Sequence, residues 1–144
     1  MSRSQLSKWV IGAVFLFMPL SAIAGDFAEH KVVIQISTDD PRTQKIALNN
    51  AVNLQKAYGM DNVQIEVVAY GPGLGIFTGK SAESSRVPSL SQQDIKFSAC
   101  GNTMDKVKRK SGKTPELVEG VGVVPAGVQR IVELQEAGYA YIRP

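Results

Sequence analysis

KVVIQISTDDPRTQKIALNNAVNLQKAYGMDNVQIEVVAY, residues 31–70, is the stretch that decides the fold. Its opening, Lys31 to Ser37, is rich in β-branched side chains and predicts a strand. Asp39-Asp40-Pro41 follows, with Asp40 in the N-cap position and Pro41 at the first helical position, where a missing N–H does no harm. From Arg42 to Tyr58, Ala47, Leu48, Ala51, Val52, Leu54 and Tyr58 recur at helical spacings, and Gly59 is a natural stop. Val63 to Tyr70 then returns to strand composition. A strand, a helix and a second strand make a crossover unit, whose strands run parallel.

The same alternation continues to the C-terminus. Gly71-Pro72-Gly73-Leu74-Gly75 closes the second strand. Ser81 to Gln93 carries a helix start at Ser81 with Glu83, and Pro88 predicts a kink or restart within it. Ile95 to Ala99 is a third strand, Met104 to Ser111 a short basic helix stopped by Gly112, and Thr114-Pro115-Glu116 a capped single turn. Val121 to Val124 reads as a fourth strand. Gly127 to Ala137 reads as a helix with Val128, Ile131, Val132 and Leu134 apolar, ended by Gly138, and Tyr139 to Ile142 as a fifth strand. The expected architecture is a three-layer α/β domain with a mainly parallel five-stranded sheet covered by helices on both faces. No internal repeat or linker divides it.

Toward the N-terminus, residues 1–24 read as a signal peptide. Arg3 and Lys8 form a positive n-region, Trp9 to Leu20 an apolar run, and Ala22-Ile23-Ala24 a small-residue cleavage site. The run is shorter than the ~20 residues a spanning helix needs, so no stable membrane insertion is expected. Cleavage after Ala24 leaves 120 of the 144 residues, 25–144, as one domain in the periplasm or outside the cell. It also leaves 14 basic against 13 acidic residues, an excess too slight to suggest nucleic-acid binding. The basic run Lys106, Lys108, Arg109, Lys110 and Lys113 has no aromatics between its charges and reads as a solvated helix face.

Residue counts remove several chemistries. His30 is the only histidine, so neither a histidine metal cluster nor a Ser-His-Asp triad can be assembled, and its place before the first strand puts it at the sheet's amino end. Cys100 is the only cysteine, so the chain has no internal disulfide and no C-x-x-C pair. Gly71 to Gly75 lacks the lysine and hydroxyl of a phosphate loop and reads as a tight turn shaping a pocket wall.

What remains is Cys100 itself, in Ile95-Lys96-Phe97-Ser98-Ala99-Cys100-Gly101-Asn102-Thr103-Met104, where a strand hands over to a helix. In a parallel sheet ligands bind beyond the carboxyl ends of the strands. That edge gathers Ser37 to Asp40, Gly71 to Gly75, Cys100 to Thr103, and Pro125 to Gly127. Two readings of the thiol stand side by side. In one, the amides of Gly101, Asn102 and Thr103 and the helix dipole favour a thiolate nucleophile, with Gly71 and Gly73 as walls and Asp39 as a candidate acid or base. In the other, Cys100 is a small apolar plug in a non-catalytic, oligomeric module that binds a small ligand. Cys100 with Met104 at i,i+4 also resembles a soft-metal pair, though such a methionine more often packs into a core.

Several segments together resemble the DsrE/DsrF-like family, whose superfamily includes sulfur-relay subunits. They are Ala47-Leu48-Asn49-Asn50-Ala51, Val68-Ala69-Tyr70-Gly71-Pro72-Gly73, Phe97-Ser98-Ala99-Cys100-Gly101-Asn102-Thr103, Val124-Pro125-Ala126-Gly127 and Gly138-Tyr139-Ala140-Tyr141-Ile142. The resemblance implies a flavodoxin-like domain assembled into trimers or hexamers. It also implies that Cys100 accepts a sulfane sulfur as a persulfide and passes it on, acting as sulfur carrier or sulfurtransferase. The implied partners are a sulfur donor or acceptor protein or a small thiol, and the chemistry calls for no cofactor. An exported leader is a departure from relay members that work in the cytoplasm.

Overall fold

In a computed structural model of the chain the structure describes residues 28–144, and the expected leader and its cleavage site lie outside the described residues. The crossover unit forms as its sequence predicts. Strand β1 (His30–Ile36) leads into helix α1 (Pro41–Tyr58), and β2 (Val63–Ala69) pairs with β1 in parallel along its whole length. Asp40 caps α1: its Oδ2 accepts the Thr43 N–H at 2.7 Å and the Thr43 hydroxyl at 2.6 Å. Beyond β2 come a 3₁₀ stretch (Gly71–Phe77), α2 (Arg86–Ser91), β3 (Ile95–Cys100), α3 (Gly101–Ser111), β4 (Val121–Val124), α4 (Gly127–Glu136) and β5 (Ala140–Ile142).

Every strand pairing is parallel, and the order across the sheet is β4-β3-β2-β1-β5. From β1 to β4 the chain steps in one direction, so right-handed crossovers put α1, α2 and α3 on one face. The last crossover returns from β4 to the opposite edge, which leaves α4 to cover the second face. The buried clusters follow this division. The larger core joins Ile34, Leu48, Val67, Phe77, Val87 and Phe97, among others, across the first face. The smaller one joins Val33, Val68, Ile131 and Leu134, with Tyr70 and Tyr139 against it. Side chains alternate along a strand. On β3, therefore, Ile95, Phe97 and Ala99 enter the larger core, and Lys96, Ser98 and Cys100 face the α4 side.

Three segments differ from the sequence expectation, each for a local reason. Helix α3 begins at Gly101, directly after Cys100, rather than at Met104. Gly-Asn-Thr carries no apolar periodicity, so the first turn was invisible to spacing; it is held by the Asn102 N–H donating to the Pro125 carbonyl at 3.1 Å. No helical turn forms over residues 114–116. There the chain is drawn onto the larger core, where Leu117 and Val118 pack and the Val118 N–H donates to the Phe77 carbonyl at 2.9 Å. Between Ser81 and Gln93 the α-helix covers only Arg86–Ser91, with Pro88 inside its first turn, where an N–H would have no helical acceptor. His30 opens β1 and stacks on Tyr58, ring centroids 3.8 Å apart. No helix among the described residues is long and apolar enough to cross a membrane.

Candidate functional site

Cys100 ends β3 and is the N-cap residue of α3, with extended backbone (φ −75°, ψ 114°). The residue is 5% exposed and joins neither of the two apolar clusters. It counts among the buried residues of the core, with Gly127 packed against its Cβ. Burial pushes the thiol up, but hydrogen bonds from the Thr103 hydroxyl, the Gly127 amide and the Thr103 amide outweigh it, so the thiol lies below its ordinary range. The Asn102 amide adds a smaller pull and is shared with the Pro125 carbonyl.

Each donor is placed by a separate element. The Gly71 N–H at the end of β2 donates to Thr103 Oγ1 at 2.9 Å, which leaves the hydroxyl hydrogen free to point at the sulfur. Gly127 is the first residue of α4. A Cβ there would lie 3.2 Å from the Cys100 Cβ and 3.1 Å from the Tyr70 Cβ, so the absence of a side chain lets the α4 backbone reach the thiol. A Cβ on Gly101 would meet the Val124 and Pro125 carbonyls at 3.1 and 3.2 Å, so α3 starts hard against the β4–α4 connection. The N-termini of α3 and α4 thus converge on one sulfur, and both favour negative charge there.

The other candidates separate. Gly101, Asn102 and Thr103 form the first turn of α3 at the sulfur, and Gly71 joins them through Thr103. Gly73 packs on β1: a Cβ on it would fall 2.3 Å from the Ile36 carbonyl oxygen, and the glycine lets two backbones touch. Asp39 is exposed beyond the end of β1, which β2 separates from β3, so the sheet does not bring it beside Cys100 as directly as it brings Gly71. Met104 packs against the larger core and is not a second soft ligand. Among the described residues no three His, Cys, Asp or Glu side chains gather as metal ligands. Helix α3 buries none of its residues, and the basic run on it is solvated.

One charged cluster escaped the sequence reading. Glu66, 2% exposed on β2, receives the Ser98 hydroxyl at 2.6 Å, Arg130 Nε at 2.8 Å and Arg130 Nη2 at 2.7 Å, with Lys96 Nζ at 3.4 Å. Burial pushes its carboxyl up, and the Arg130 and Ser98 hydrogen bonds outweigh this, so it stays ionised below the ordinary value. The signal was an acid inside VQIEVVAY, between the buried apolar residues Ile65 and Val67. A cavity of about 700 Å³ opens beside this cluster, lined by Gln64, Glu66, Asp94, Lys96, Arg130 and Tyr139 among others, toward the amino ends of β2 and β3 and away from the carboxyl edge.

Comparison with known proteins agrees with this architecture. No curated protein matches the chain. Among solved structures, the protein of unknown function MTH1491 from Methanobacterium thermoautotrophicum is similar at 40% sequence identity and a TM-score of 0.70, over 80% of this chain and 99% of that one. The DsrE/DsrF-like family model matches residues 30–144, which spans every strand and helix described above. A five-stranded parallel sheet with helices on both faces, matched from its first strand to its last residue, places the chain in the DsrE/DsrF-like family.

Proposed function

We propose that the protein is an exported sulfur carrier or sulfurtransferase that takes up a sulfane sulfur on Cys100. The observation that carries this reading is a thiol at the N-cap of α3 with the first residue of α4, Gly127, packed against it, where hydrogen bonding from Thr103 and Gly127 draws the thiol below its ordinary range. Such donors stabilise negative charge, which an inert plug does not need. The Cys100 thiolate attacks the outer sulfur of a donor persulfide; a new S–S bond forms on Cys100, the donor's S–S bond breaks, and the donor leaves as a thiolate. An acceptor thiolate then attacks that outer sulfur and releases the Cys100 thiolate. The two steps balance without an external oxidant or reductant. The same amides that hold the thiolate also steady it as the leaving group of the second step.

The working compartment is the periplasm or the exterior, as the residue 1–24 leader suggests, and the partners are a persulfide-bearing protein or a small thiol. The assembly is a trimer or hexamer. Support for association comes from Val123, Val128 and Val132, which are 57%, 56% and 49% exposed, the last two one helical turn apart on α4.

Intact mass tests the reading. The protein cleaved after Ala24, incubated with a polysulfide donor, gains about 32 Da per sulfur; reductant removes it, and Cys100→Ser never acquires it. An unchanged mass with a donor that loads a control thiol overturns the proposal.

A further inference from the structure

We propose that Glu66 and Arg130 are a positioning pair for Cys100: their two-pronged contact fixes where α4 begins, and so holds the Gly127 amide against the sulfur. The inference rests on the reading of Cys100 as an ionised nucleophile, and it adds residues outside the first ring of contacts.

The second face explains why such a pair is needed. Besides Gly127, α4 buries only Ile131 and Leu134. Apolar contact is non-directional, so two aliphatic side chains keep the helix on the sheet without fixing its position along it. A guanidinium bridging both oxygens of a carboxylate is planar and directional. Arg130 lies three residues, about 4.5 Å of helix, from Gly127, and its own N–H closes the first turn onto the Ala126 carbonyl at 3.0 Å. Its carboxylate partner is anchored in turn. Glu66 accepts the hydroxyl of Ser98, which faces the α4 side two residues before Cys100, about 6.6 Å along the strand. A continuous path therefore runs from Cys100 through Ser98, Glu66 and Arg130 to Gly127, and back to Cys100. The elements around the sulfur carry Glu66 on β2, Tyr70 just after it, Lys96 on β3, Asp105 and Lys106 on α3 and Arg130 on α4, so direct charge effects must be separated from geometry.

Two variants separate them by sign. Glu66→Gln removes a negative charge from the sulfur's side of the sheet; acting through charge alone it would favour the thiolate and speed alkylation at neutral pH. Acting through position it does the opposite, because the glutamine NH₂ faces the donors of Arg130 and Lys96 and α4 loosens. Arg130→Lys keeps the charge and loses the bridge. The rate of Cys100 alkylation by iodoacetamide is measured against pH on folded protein, with circular dichroism confirming the fold. Both variants are expected to move the midpoint upward and to slow the pH 7 rate about threefold or more. A faster rate in Glu66→Gln, or unchanged midpoints in both, overturns the positioning role. Should either variant fail to fold, the other and the Ser98→Ala variant, which removes the link to β3, carry the same readout with the same expected direction. Loss of sulfur loading in wild type, by contrast, would sink the sulfur-transfer reading while leaving the alkylation midpoints to decide this one.

Discussion

Cys100 is nearly covered, and burial and the hydrogen-bond donors at the start of α3 and α4 pull its chemistry in opposite directions. A thiol sealed among aliphatic side chains would rise above its ordinary range. Here the Thr103 hydroxyl accepts from the Gly71 amide and keeps its own hydrogen to donate, and after burial it is the largest influence on the thiol, drawing it down. Thr103→Val keeps the shape and removes both links, so alkylation of Cys100 at pH 7 should slow about tenfold, with the pH midpoint rising toward that of a free thiol. Gly127→Ala offers a steric counterpart. Its Cβ would crowd Cys100 and Tyr70 at 3.2 and 3.1 Å, which pushes the α4 amide away and should slow the same reaction. Gly73→Ala is expected to leave the sulfur's own donors intact but to destabilise the fold by about 3 kcal/mol in urea unfolding, because the backbone of β1 cannot yield to a Cβ 2.3 Å away. If Gly73→Ala folds as stably as wild type, the close approach is not needed.

Helix α4 shows how a thin layer can be held in place. Its two buried aliphatic side chains supply on the order of 1.5–3 kcal/mol each, and the Glu66–Arg130 bridge adds direction. Because Glu66 is lowered in the folded chain, its contribution to stability is complete above its ordinary value of 4.5 and is lost as pH falls through the lower folded value. Urea midpoints measured from pH 6 downward should therefore drop in wild type, and Glu66→Gln should be less stable at pH 6 and lose less on acidification. Parallel pH curves for the two proteins would remove Glu66 from the acid limb. Sequence spacing caught the elements with apolar rhythm or explicit caps, such as α1 between Asp40 and Gly59. It missed the first turn of α3, because Gly101-Asn102-Thr103 is fixed by Pro125, a residue far along the chain. The apparent cap at Thr114 gave way to packing of Leu117 and Val118, a tertiary preference that local composition does not carry.

The unequal faces of the molecule locate the site. Three helices and a 3₁₀ stretch cover one side, whereas α4 alone closes the other, and the single cysteine lies where α4 begins. Topology was legible because strand and helix alternate, and the carboxyl edge was legible because every strand is parallel. Strand order was not, and without it Asp39 looked like a neighbour of Cys100. The β4-β3-β2-β1-β5 order moves Asp39 away and brings Gly127, at the far end of the β4 connection, onto the sulfur. Val123 on β4 and Val128 and Val132 on α4 are exposed, so light scattering of the protein cleaved after Ala24 should give a mass at or above three chains. A monomer at micromolar concentration would contradict the assembly. The most direct measurement concerns the thiol alone: the alkylation rate of Cys100 in the folded wild-type chain, followed from pH 5 to 10. An ionised sulfur held by two helix N-termini gives a rate that levels off below the ~8.5 midpoint of a free cysteine. A rate that climbs through pH 9, or no reaction until the chain is unfolded, would contradict it.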